Sequence, residues 1–407
     1  MLKININTVI CMGVLPLLTW LILSPRVSNS IYLELAIALF CIFLNGMLSL
    51  RHNKIGKPTL VVILLVLWVF VLGLINAGVT IAAKHSIAFL LTLSPIYLSN
   101  YIIRDPDDKF DQKRYRILIP IIVVLLAFCF IMSLAYLRIN PEAMRNMASD
   151  AGEIDFFSAI GGGYKLVFSV IILSAVVAFL IKEESVVKNK VIYILVYAFL
   201  IYFIIKADVA TAFILTLLVS IPLLFFKRKK TSFRFYIVAF ILLLVFILFV
   251  SGPLYEIAGR VATLFEEDSF LHIRLNELQS GDSSFAGRGE RILQSLETIL
   301  KYPLFGVGVR SGFGYYELAG HLGMHSDFFD IPGKYGIPFT LALYTMFYMQ
   351  FRKIKSMLKD SAKEQLYSIL GLSVIVTSIF DPVITTNMLL MLYVFVPMVL
   401  LKNPGKI

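Results

Sequence analysis

Thr59 to Asn76 reads TLVVILLVLWVFVLGLIN, without one charged side chain. A helix rises about 1.5 Å per residue, so such a run is long enough to cross the roughly 30 Å of hydrocarbon in a bilayer. An unbroken apolar run also excludes a membrane barrel, whose strands alternate apolar and polar residues. Runs of the same kind recur near 8–24, 31–50, 85–103, 117–137, 165–181, 191–205, 210–226, 235–252, 336–351, 366–380 and 385–401. Across the 407 residues, 59% are hydrophobic and only 15% charged, far from the balance of a soluble domain. The expectation is an all-α polytopic membrane protein of about twelve transmembrane helices, with residues 1–407 forming a single integral membrane domain. The first run, preceded by MLKININ, is read as an anchor that stays in the chain rather than as a signal peptide, because eleven further spans follow it.

Lysine and arginine set the orientation. With both termini in the cytoplasm, the inner segments and tails hold 24 of the 37 basic residues. The net charge of +11 then reflects topology and contact with anionic membrane lipids, and no nucleic-acid partner is expected. Cys11, Cys41 and Cys129 are dispersed within expected spans, which leaves neither a disulfide framework nor a CxxC metal motif.

This orientation creates two outer loops of note, 138–164 and the large loop 251–335 between the ninth and tenth spans. Within the larger loop, PLYEIAGRVATLFEE places Leu254, Ile257, Val261, Leu264 and Phe265 on one helical face. RGERILQSLETILK does the same with Ile292, Leu293, Leu296, Ile299 and Leu300. Both read as amphipathic helices that lie on the membrane or cap the bundle, the second stopped by Pro303, Gly306 and Gly308. Glu34, Lys206, Asp208 and Asp381 fall at the outer ends of spans, as expected around a hydrated pocket that opens outward.

Two features of the loop invite a catalytic reading. In HLGMHSDFFD, His321 to Asp330, two histidines four apart would share a helix face and suggest zinc. Leu322 stands where an HExxH motif carries its Glu, and Gly323 weakens the helix, so a single functional histidine is favoured and no metal is expected. GVGVRSGFG, Gly306 to Gly314, lacks the GxxxxGK[ST] pattern and a preceding strand; its glycines suit a tight turn or a close backbone approach. Arg260, Arg274, Arg288, Arg291 and Arg310 accompany His325 in the same loop, and Arg145 lies in the first outer loop. Guanidinium forks match phosphate oxygens, and a neutral imidazole takes a proton from a hydroxyl. That set suits moving a group off a diphosphate.

Residues 287–338, with the arginine that opens the amphipathic helix, the PLFGVG turn, His325 followed by a small polar residue, and Tyr335-Gly336 leading into the next span, resemble the bacterial O-antigen polymerase and ligase superfamily. The twelve-span layout with one large outer loop agrees with it. The resemblance implies a membrane-embedded glycosyltransferase, GT-C-like in architecture, in the bacterial inner membrane with its site facing the periplasm. It implies sugars on undecaprenyl diphosphate as donor and acceptor, no cofactor, and a chain-length regulator as a possible partner protein. The family's loop arginine falls on Arg288 and its histidine on His325. Two departures stand out: Ile292 lies close to where the family often has a tryptophan, and IIKADVATAF lacks the family's Ser-Arg-Gly span start, leaving Lys206 or another arginine for that role.

The mechanism so implied is transfer of a growing glycan to a sugar hydroxyl of a new lipid-linked repeat unit, with inversion. His325 acts as general base, and Arg288, aided by Arg291, Arg310 or Arg274, stabilises the departing diphosphate. A ligase that passes finished glycan to lipid A core is the nearest alternative. A flippase for the same lipid-linked sugars is the alternative from another class, disfavoured by the structured outer loop and the absence of internal repeats.

Overall fold

The computed structural model describes residues 31–52, 57–103, 109–139, 164–225, 286–308, 322–323 and 326–402, with a few isolated residues besides. Among them the chain is helical throughout, without strands. The helices are α1 (Ile31–His52), α2 (Lys57–Ala77), α3 (Val79–Thr92), α4 (Ser94–Ile102), α5 (Lys109–Leu137), α6 (Tyr164–Glu183) and α7 (Val187–Ala207). They continue with α8 (Ala210–Phe225), α9 (Ala286–Lys301), α10 (Asp327–Tyr335), α11 (Ile337–Met357), α12 (Ser361–Phe380) and α13 (Thr386–Leu401).

Every expected span that falls within the described residues coincides with a helix. The expected spans 8–24 and 235–252, and the amphipathic helix expected near Leu254 to Phe265, lie almost wholly outside them. Among the described residues, five stretches are long and apolar enough to cross a membrane: Leu60–Ala77, Val79–Ile102, Gln112–Leu137, Leu166–Glu183 and Val187–Ala207. Tyr32–Phe43, Thr211–Phe225 and Thr386–Leu401 are shorter apolar stretches. The expected span at 85–103 begins earlier, at Val79, and is two helices in line. Pro95 lacks an amide proton and sits in the first turn of α4, so the chain restarts there after Leu93.

α6 is the centre of the bundle, buried from Leu166 to Val176 and packed against α7, α8, α12 and α13. Its apolar side chains surround Ser169 and Ser174, and the Ser174 hydroxyl donates to the Ile171 carbonyl at 3.1 Å, so no polar group need reach lipid. At one end of the bundle, α9 packs on α10, and α10 on α11 and α12. Inside α13, Met391–Phe395 forms a π-turn; the Tyr367 hydroxyl donates to the Leu392 carbonyl at 3.2 Å, and the Tyr393 hydroxyl to the Phe347 carbonyl at 3.1 Å. These bonds tie the last three helices together beneath α10.

Candidate active site

α9 is the expected amphipathic helix, and it ends at Lys301 before Pro303. Its packing differs from a simple apolar-inward helix. Among its described side chains, those it buries most are Ser295 and Thr298, 1% and 6% exposed, whereas Leu293 and Leu300 are 59% and 81% exposed. A hydrophobic pattern reports which face is apolar; it does not report whether that face meets protein or lipid. Here the face toward α10 is built from hydroxyls.

The turn after α9 laces onto α10 through backbone bonds. Val307 N–H donates to Gly333 O at 2.9 Å, Gly308 N–H to Lys334 O at 2.9 Å, and Ile337 N–H to Pro303 O at 2.8 Å. Gly306 and Gly336 have φ of 63° and 91°, and a Cβ on either would lie 2.4 Å from the Lys334 carbonyl carbon or 2.0 Å from the Leu304 oxygen. Only glycine fits such approaches. Gly306 and Gly336 thus serve the mutual approach of two backbones, while Gly308 lies against the Asn76 side chain. Trp68 of α2 anchors this unit to the bundle: its Nε1–H donates to Tyr335 O at 3.1 Å, and its ring stacks on Phe305 with centroids 5.5 Å apart.

The segment bearing the histidines approaches α9 directly. Leu322 and Gly323 are not helical, and α10 starts only at Asp327, so at these residues there is no helix to align His321 with His325. Gly323 lies against α9, where a Cβ would come within 2.3 Å of the Arg291 carbonyl oxygen. Its N–H donates to Ser295 Oγ at 2.8 Å, and the Ser295 hydroxyl donates in turn to Asp330 Oδ1. Asp330 Oδ2 accepts the Ser326 N–H at 2.9 Å. Ser326 caps α10 by accepting from Phe329 N–H at 3.4 Å, and its hydroxyl reaches Ser378 O on α12 at 3.1 Å. Ser326 and Asp330 therefore satisfy each other's end of the helix, as in a capping box.

Residues 193–344, from α7 into α11, match the family described as O-Antigen ligase. Over that segment the chain is similar to the O-antigen ligase and polymerase superfamily. No curated protein matches the chain.

The superfamily's members are glycosyltransferase-like membrane enzymes, and the matched segment contains α9, the glycine turn and α10. Among the sequence-predicted site residues, Arg288 and Arg291 fall on α9 within its first two turns, Arg291 at the level where Gly323 is pressed. Lys206 is exposed at the end of α7, a helix that packs on α5, α6 and α8. His325, Arg310, Arg274 and Arg145 lie outside the described residues. Sequence reasoning did not single out Ser295 as part of this junction. Ser326 and Asp330 carry a local signal, a cap residue and an acid four positions on; Ser295, 35 residues from Asp330, carries none.

An acidic group lies behind α10. Asp327 keeps some surface exposed, but its carboxyl is enclosed and accepts the Ile384 N–H. Burial, with the nearby Asp330 and Asp381 carboxylates adding to it, raises its pKa to about 7; amides of Ile384 and Val383 oppose the shift. Beside it runs a largely apolar groove of about 760 Å³ among α11, α12 and α13. Phe328, Tyr344, Phe347, Ile375 and Tyr393 line it, and the ion pair of Lys355 and Glu364, 3.4 Å apart, lies at the other end.

Proposed function

We propose that the protein polymerises lipid-linked oligosaccharide repeat units of O-antigen or a related surface polysaccharide. The growing glycan leaves undecaprenyl diphosphate and joins a sugar hydroxyl of a new lipid-linked unit. In this reading the chain crosses the inner membrane twelve times with both termini cytoplasmic, and α9 and α10 face the periplasm. The observation that supports it most is the contact of Gly323 with the Arg291 turn of α9 inside the matched family segment. Gly323 precedes His325 by two positions in the sequence, and the helix that it meets carries Arg288 and Arg291.

His325 takes the proton of the acceptor hydroxyl as the oxygen attacks the anomeric carbon, a role worth roughly 10² to 10⁴ in rate. The bond from that carbon to the diphosphate oxygen breaks with inversion. Arg288 and Arg291, with Arg274, Arg310, Arg145 or Lys206 as further cations, hold the diphosphate and stabilise the charge it gains. These arginines neutralise the leaving group without a metal ion. The groove among α11, α12 and α13 suits a polyprenyl tail, whose apolar chain needs a membrane-depth path. A chain-length regulator is a proposed partner.

The test uses cells lacking the native gene. Full chains with His325→Ala or Arg288→Ala, present in the membrane at normal levels, leave single repeat units and no ladder of longer glycan on gels. Full-length polymer from both variants overturns the reading. Polymer that accumulates on undecaprenyl diphosphate but is lost from lipid A reassigns the protein as a ligase.

A further inference from the structure

The turn that follows α9 lies alongside α2 at the depth of a membrane span. α2 carries the apolar stretch Leu60–Ala77, and Trp68 stands at its middle. Phe305 stacks on the Trp68 ring with centroids 5.5 Å apart. Ala77 lies nine positions beyond Trp68, so Phe305 meets α2 about 13 Å short of the end of that stretch. Gly308 lies against the Asn76 side chain, one position from the same end. From Phe305 to Gly308 the chain therefore climbs out along α2, with Leu304 and Phe305 on the deeper side.

Three features suit this tip to hydrocarbon. Its side chains are apolar and uncovered, Leu304 61% and Phe305 56% exposed, and the neighbouring surface of α2 presents exposed Leu64, Leu67 and Val71. The two surfaces form one apolar patch, which at the middle of a span faces lipid rather than water. The charges stop short of the tip: Glu297 and Lys301 are exposed on α9, and no charged residue falls from Tyr302 to Val309. The Lys301 Nζ lies 5.4 Å from the centre of the Tyr302 ring. A lysine with a long apolar stem beside an aromatic ring is the combination that marks a membrane–water boundary. Finally, irregular backbone is tolerated at membrane depth only where protein satisfies its polar groups. Gly306 N–H donates to Tyr302 O at 3.0 Å, and the N–H groups of Val307 and Gly308 reach the carbonyls of Gly333 and Lys334. Pro303 has no N–H to satisfy, and its carbonyl accepts from Ile337. A loop in water could leave those groups to solvent.

We infer that residues 302–308 form a re-entrant wedge that seats Leu304 and Phe305 among the acyl chains of the membrane lipids. Lys301 and Tyr302 stand where the chain enters the hydrocarbon. The α9–α10 junction is thereby anchored in the bilayer as well as in the protein. The inference rests on α2 crossing the membrane and not on the catalytic reading, so either can fail alone.

The experiment places a spin label at Leu304→Cys, Glu297→Cys or Leu67→Cys in the full chain, with Cys11, Cys41 and Cys129 replaced by alanine. Each protein is reconstituted in vesicles of phosphatidylethanolamine and phosphatidylglycerol. Collision rates are measured with oxygen, which concentrates in hydrocarbon, and with a water-soluble nickel chelate. At Leu304 oxygen collisions should exceed nickel collisions several-fold, as at Leu67 on the lipid side of α2. At Glu297 the order should reverse. Nickel collisions that dominate at Leu304 put the tip in water and overturn the inference. Low rates with both reagents mean that another part of the chain or a second copy covers it, which overturns the inference too. A second measurement keeps the native cysteines and carries photoreactive benzoylphenylalanine in place of Phe305. Irradiation in the same vesicles should yield phospholipid adducts by mass spectrometry, and adducts confined to protein count against the wedge.

Discussion

α6 and the α9–α10 junction are held by opposite means. α6 is enclosed by apolar side chains, and its Ser174 hydroxyl is satisfied within the same helix. The junction outside the bundle is held by backbone amides across three glycines and by a serine, a capping serine and an aspartate bonded in series. Apolar packing is non-directional and tolerates volume-conserving change, whereas a chain of hydrogen bonds specifies particular atoms. The bundle therefore supplies stability and the junction supplies directional geometry, which the proposed function puts to use.

The largest effect that would break this contrast is at Gly336. Its φ of 91° is disfavoured for any side chain, and a Cβ would lie 2.0 Å from the Leu304 oxygen. Gly336→Ala should cost ~3 kcal/mol or more, since backbone strain and a clash act together. It should abolish polymer formation while the chain still reaches the membrane, because α2 to α8 do not depend on this turn. Quantified membrane protein, limited proteolysis of the α9–α10 unit and glycan gels check this together. Normal polymer would mean that the junction is not needed for activity.

Asp327 sharpens the comparison, since it is a titratable group enclosed at the junction's base. Its folded pKa of about 7 lies above the ordinary carboxyl value near 3.8, so the folded state holds a proton that the unfolded state has released. Its contribution to stability is therefore fully present below about pH 4 and is lost as pH rises through 7. Asn in its place keeps an oxygen to accept the Ile384 N–H and has nothing to ionise. Asp327→Asn should show higher thermal stability than wild type at pH 8, with the difference shrinking toward pH 5. Parallel unfolding curves for the two proteins across pH 5 to 8 would refute the assignment.

Much of this architecture is legible in the sequence, and the division is physical. Span positions follow from apolar runs, α9 from a helical apolar period, and its end from Pro303. The resemblance carried by residues 287–338 brings Arg288, His325 and the two glycine motifs into one reading. What stays hidden is which atoms meet across long sequence separations. Ser295 and Asp330 are 35 residues apart, and Trp68 and Tyr335 are 267 apart; no local pattern links either pair. The apolar period of α9 also does not tell how the helix packs, because Leu293 and Leu300 are exposed while Ser295 and Thr298 are buried. The glycines of GVG read locally as a turn, and only the fold reveals that Gly306 lies against the backbone of α10 and Gly308 against the Asn76 side chain of α2.

The smallest expected effect tests the bundle side of the contrast. Ile171 on α6 is fully buried among apolar neighbours. Ile171→Val removes one methylene and leaves every hydrogen bond described above in place, so it should cost about 1 kcal/mol of stability. Because α9 packs on α10, and α10 on α11 and α12, kcat should stay within twofold of wild type. If this substitution slowed elongation as strongly as Gly336→Ala, the bundle would be setting the geometry of the junction as well as its stability, and the separation of the two regions would fail.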